Sequence, residues 1–113
     1  MHEYSLAKNI IEIIKECAVK QNSSRAAEVI IVIGELSGVM PDALKSAVDL
    51  LVKRTEFSTT QFVYEIKKGK ARCSNCGATI EVPDFFIACK NCGNTSVEMV
   101  EGKELYVKTI TFE

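Results

Sequence analysis

Cys73-Ser-Asn-Cys76-Gly77 and Cys89-Lys-Asn-Cys92-Gly93 are two copies of one five-residue pattern. Two thiolates three positions apart can grip one ion from a tight turn, and the glycine that follows permits backbone conformations closed to other residues. Two such turns facing one another supply four sulfur donors, the closed tetrahedral set that zinc prefers. A four-sulfur cage leaves no open coordination position, so Cys73, Cys76, Cys89 and Cys92 are expected to hold a structural zinc and not a catalytic one. The surrounding stretch, Lys70 to Val100, has little helical periodicity and holds four of the five cysteines. A segment of about 30 residues has too little apolar core to fold unaided, and metal binding contributes on the order of 10 kcal/mol in such modules. Thr79 to Val82 and Phe86 to Ala88 are predicted to form a hairpin between the two turns.

The flanks have a different texture. Leu6, Ile10, Ile13, Ile14, Cys17 and Ala18 recur at three- and four-residue spacings, with Lys8, Glu12, Lys15 and Glu16 on other faces. This predicts an amphipathic helix from about Tyr4 to Lys20, ended by Asn22-Ser23-Ser24. Ala27 to Ile33, continuously β-branched from Val29 on, reads as a strand covered on both faces. Gly34 to Gly38 reads as a loop. Pro41, with Asp42 after it, opens a second helix to about Lys53. Phe62, Tyr64 and Ile66 alternate as a strand, and a last strand runs from about Glu104 to Phe112. There Leu105 and Val107 share one parity while Ile110 and Phe112 take the other, which fits either a bulge or a change of burial. The expected fold is α+β: two helices packed on a three-stranded sheet, with an inserted zinc-ribbon-like module. The corresponding domains are 1–69 plus 101–113, and 70–100.

Composition excludes several classes. With 14 basic and 15 acidic side chains the chain is nearly neutral, without the cationic excess that nucleic-acid binding draws on. Within 70–100, Lys70, Arg72 and Lys90 balance Glu81, Asp84 and Glu98, and four thiolates around one divalent ion add negative charge. The most apolar run, Val29 to Ile33, is far shorter than the roughly 20 residues that span a membrane, and charges interrupt the N-terminal apolar positions, unlike a secretory signal. A cytoplasmic protein follows, in which paired cysteines more often hold metal than form disulfides. Cys17, on the apolar face of the first helix, is expected to pack in the core as a small hydrophobe. A dithiol oxidoreductase would start a helix with its Cys-x-x-Cys pair, whereas both pairs here are followed by glycine. With one histidine in the chain, no hydrolase triad can be assembled, so no enzyme is expected.

That histidine is His2. A bulky second residue keeps Met1 in place, so the Met1 amine, the His2 amide nitrogen and the His2 imidazole can close adjacent chelate rings on one ion. The Glu3 amide nitrogen is a possible fourth donor. A planar nitrogen set suits Ni(II) or Cu(II) and differs in softness and geometry from the sulfur cage.

Met1-His2-Glu3-Tyr4-Ser5-Leu6-Ala7, the Gly34-Glu35-Leu36-Ser37-Gly38-Val39 loop and the two Cys-x-x-Cys-Gly turns occur in this order. Together they resemble the hydrogenase maturation nickel-incorporation proteins of the HypA/HybF family, over the whole length. The resemblance implies that His2 is the essential nickel ligand with Glu3 in the same motif, and that the four cysteines bind zinc. It further implies a nickel-handling GTPase partner and delivery to the large subunit of nickel-iron hydrogenase. In some organisms it also implies an exchange with a urease accessory protein. Neither a nucleic acid nor a membrane is an expected partner. Lys90 stands where many members carry proline, which should alter surface charge more than coordination. The rival reading is a zinc-ribbon interaction module without nickel chemistry.

Overall fold

The computed structural model describes residues 3–82 and 88–113. Met1, His2 and Phe86, all named above, lie outside the described residues. The elements are α1 (Glu3–Lys20), β1 (Ala26–Gly34), α2 (Pro41–Val52), β2 (Gln61–Lys67), β3 (Lys70–Cys73), β4 (Thr79–Glu81), β5 (Val97–Glu101) and β6 (Leu105–Phe112). They form two compact units: residues 1–31, 39–65 and 106–113 in the first, and residues 32–38 and 66–105 in the second.

The first unit is held by apolar packing. α1 buries Ala7, Ile10, Ile11, Ile14 and Ala18, the stripe that its periodicity predicts. It ends where Asn22 turns left-handed, at φ 55°. The Ser23 amide then donates to the Ala18 carbonyl and the Asn22 amide to the Val19 carbonyl, closing a Schellman motif. α2 has no side-chain cap. Pro41 in its first turn needs no acceptor, and the Met40 amide donates to the Glu3 carboxylate at 3.3 Å, tying the starts of the two helices together. Leu44, Val48 and Val52 are its buried face. Among the described residues Phe57, in the turn after α2, is the largest fully buried side chain, and it belongs to no periodic pattern. The Thr55 hydroxyl shapes that turn, donating to the Val52 carbonyl and accepting from the Phe57 amide.

β2, β1 and β6 form one sheet in that order. Thr60 meets Ala26 at one end of β1 and the Glu35 amide meets the Lys67 carbonyl at the other, so β1 and β2 run parallel, joined through α2. Glu113 pairs with Arg25 and Gly34 with Glu104, so β6 is antiparallel to β1. Along β6 the burial phase slips by one residue between Lys108 and Thr109, both exposed, which accounts for the two parities.

In the second unit β3 is the centre of a sheet ordered β4-β3-β5. β3 is antiparallel to both neighbours, with Arg72 opposite Thr79 on one side and Glu98 on the other. The core is small: Leu36, Ala71 and Val82, with Ile80, Val97 and Met99 packed against it. Leu36 comes from the loop that follows β1. Backbone hydrogen bonds from Gly34 to Glu104, Glu35 to Lys67 and Leu36 to Gly102 hold it between two passing segments. A side chain at Gly34 would place its Cβ 2.0 Å from the Gly102 carbonyl oxygen, so only glycine fits there.

The second arm of the hairpin expected between the two cysteine turns, Phe86 to Ala88, falls outside the described residues except for Ala88. Thr79–Glu81 is a strand, but its partner is β3, and Ala88 is in no strand. The Cys73–Cys76 turn folds the chain back on itself, so β3 and β4 form a hairpin around that turn.

Candidate metal centre

The two cysteine turns are built alike. In each, the amide of the first cysteine donates to a carbonyl five residues on, Cys73 to Ala78 and Cys89 to Asn94. The glycine amide donates back to the first cysteine, Gly77 to Cys73 at 2.9 Å and Gly93 to Cys89 at 2.7 Å. Gly77 and Gly93 take φ of 76° and 78°, the left-handed region that the tight return requires. The first cysteine of each pair is buried and the second is exposed.

The turns face each other. All four sulfurs lie within 4.8 Å of one another. Cys73 Sγ is 3.5 Å from Cys92 Sγ, and Cys76 Sγ is 3.6 Å from Cys89 Sγ. Four sulfurs at about 2.3 Å from a tetrahedral zinc stand about 3.8 Å apart, so the donor set fits that ion. A disulfide would need about 2.05 Å. The pairs sit in turns and not at a helix start, which removes the geometry of a dithiol oxidoreductase.

Hydrogen bonds divide the four sulfurs. The Asn91 side chain, followed by the Ala78 amide, stabilises the Cys76 thiolate and lowers its pKa to about 6. Cys92 is also lowered, first by the Asn94 amide and then by the Asn75 side chain. Cys73 accepts from the Cys76 amide, but burial and its neighbouring thiols outweigh this and push it up to about 11. Thiolates are the ligating form, so the downward shift at both exposed sulfurs favours binding a cation. Nothing in the cysteine spacing singles out Asn75 and Asn91; the available signal was their recurrence at the same place in both turns.

The other singled-out residues are placed as follows. Glu3 is the first residue of α1, and its side chain accepts from the Met40 amide. Cys17 is only partly buried. It lines an open groove of about 330 Å³ with Ile13 and Lys20 on α1 and Val107, Ile110 and Phe112 on β6, so its expected place in the core is corrected to the core's margin. Among the described residues no helix is long and apolar enough to cross a membrane.

Residues 1–112 match the family model described as HypA, hydrogenase/urease nickel incorporation, metallochaperone. The hydrogenase maturation factor HypA of Parabacteroides distasonis is 33% identical over 113 residues, covering 100% of this chain and 98% of the relative. That of Geobacter metallireducens is also 33% identical, with 100% of both chains covered. The solution structure of the nickel metallochaperone HypA from Helicobacter pylori superposes with a TM-score of 0.69 at 21% identity, covering 99% of this chain and 97% of that one. At that identity the structural likeness speaks for the fold, and the full-length sequence matches carry the kinship: the chain belongs to the HypA family of hydrogenase/urease nickel-incorporation metallochaperones.

Proposed function

We propose that this protein holds Ni(II) through the His2 imidazole and the backbone nitrogens of Met1, His2 and Glu3, and passes it on during maturation of nickel-iron hydrogenase. In this reading the domain 1–69 plus 101–113 carries nickel. Cys73, Cys76, Cys89 and Cys92 of the domain 70–100 hold zinc, whose role is to fold that module. The protein is a cytoplasmic carrier and not an enzyme. Its partners are a nickel-handling GTPase and the hydrogenase large subunit, with a urease accessory protein where urease is made.

The whole-length family match carries this reading. The place of Glu3 at the start of α1 supports it: its carboxylate accepts from the Met40 amide and ties the starts of the two helices together. A terminal chelate can exchange its ion with an acceptor, whereas the sulfur cage has no open position for exchange. The imidazole, with an ordinary pKa of about 6.5, must shed its proton to bind, so nickel affinity falls as the medium turns mildly acidic. The test is His2→Ala: nickel binding is lost while zinc content and circular dichroism stay unchanged. Nickel affinity that survives the substitution refutes the assignment.

A further inference from the structure

The two exposed thiolates of the cage, Cys76 and Cys92, are each reached by an amide from the opposite turn. Asn91 Nδ2 lies 3.5 Å from Cys76 Sγ, and Asn75 Nδ2 lies 3.6 Å from Cys92 Sγ. The arrangement is reciprocal. Each asparagine occupies the third place of its own Cys-x-Asn-Cys turn and donates across to the second cysteine of the other. Of the two middle positions in each turn, this one repeats while the other differs, Ser74 in the first and Lys90 in the second. Ser74 has a separate task, donating from its hydroxyl to the Ser96 carbonyl at 2.7 Å.

We propose that Asn75 and Asn91 are positioning residues for the metal, a pair of crossed straps that lock the two cysteine turns face to face and shield the outward thiolates. The inference rests on the zinc reading of the four cysteines and goes beyond it. Three physical consequences follow. A hydrogen bond donated to a thiolate disperses charge that four sulfurs would otherwise concentrate on one divalent ion. Because each donor sits on the opposite turn, each bond also resists the separation of the two halves, which is the motion that frees the ion. Finally, the amides stand at the two sulfurs that solvent reagents can reach; Cys73 and Cys89 are 0% and 2% exposed and need no such guard. Groups that orient first ligands commonly contribute about 10- to 100-fold in metal affinity. Both asparagines are exposed, and water competes for the same thiolates, so the lower end of that range applies to each.

Asparagine is also a good turn former, and the experiment has to separate that role from the strap. Asn91→Asp keeps a turn-forming side chain of the same shape but removes the donor, while Asn91→Gly keeps a turn without charge; Asn75 receives the same pair. Full-length protein is loaded with zinc, and transfer to a chromophoric chelator is followed at equilibrium and in time. A second sample is loaded with Co(II), whose sulfur-to-metal charge-transfer band reports the electron density on the thiolates. The expected result is about tenfold weaker zinc retention and faster transfer for each single variant, with the aspartate worse than the glycine. The charge-transfer band moves to lower energy in both. The double variant should lose more than the product of the singles, because either strap alone opposes separation of the turns. Zinc retention and a cobalt spectrum equal to wild type in the aspartate variants would overturn the straps and leave the cage intact. Wild-type protein that holds neither zinc nor cobalt on its cysteines would instead refute the cage itself.

Discussion

The two units of this chain solve the same stability problem with different materials. The first buries Ile14, Ile31, Leu44, Val29, Val48 and Phe57 completely, enough apolar surface to support helices and a sheet. The second has three buried residues at its centre, one of them an alanine, and strands of three to five residues. Burial at about 25 cal/mol per Å² cannot offset the ordering of 40-odd residues from so small a core. Its order must come from the crosslink at the four sulfurs. The contrast teaches where each unit is fragile: the first at its large side chains, the second at its metal.

The largest expected effect lies in the second unit. Cys76→Ala, or zinc removal by a chelator, takes away on the order of 10 kcal/mol. Limited proteolysis should then cut within residues 70–100 while the helical circular dichroism of α1 and α2 persists. A wild-type cleavage pattern in the zinc-free variant would show that this small core suffices. Next is Phe57→Ala, which should cost about 3 to 5 kcal/mol of the first unit's stability by denaturant titration, with zinc content unchanged. Gly77→Ala or Gly93→Ala meets open space, since nothing lies within 4 Å of the added carbon. The cost there is the left-handed backbone alone, about 1 to 2 kcal/mol, and should appear as weaker zinc retention. The smallest effect concerns acid. Lys67, then the Glu104 and Gly102 amides, lower the Glu104 carboxyl from 4.5 to about 2. A lowered carboxyl stabilises the fold above its unfolded pKa, and that stability fades as pH falls from 4.5 towards 2. Glu104→Gln should flatten this part of the acid-unfolding curve slightly, because the Lys67–Glu104 pair is about one-third exposed on both sides.

The same contrast explains what could be read from the sequence. α1, α2, β1, β2 and β6 announce themselves because long amphipathic or β-branched runs carry a period. β3 and β5 do not: Lys70–Cys73 is four residues long, and Val97–Glu101 alternates too briefly to stand out from turn residues. The pairing of β3 with β4 is imposed by the cysteine turn between them and not by side-chain pattern. Phe57 escaped because no period holds in the turn it plugs. The four cysteines were legible from spacing alone, since zinc demands that spacing, whereas the role of Asn75 and Asn91 needed coordinates to show which sulfur each one reaches.

Cargo and crosslink are assigned to different chemistry, nitrogen at the start of the chain and sulfur in the inserted module. The most direct test is a nickel titration of zinc-loaded protein, followed by X-ray absorption at the nickel edge, with the native N-terminus and with a few residues added before Met1. The account predicts a nitrogen-rich, sulfur-free nickel site whose affinity drops sharply on extension while zinc stays on its four sulfurs. Nickel bound equally well by the extended chain, or found among the thiolates, would contradict it.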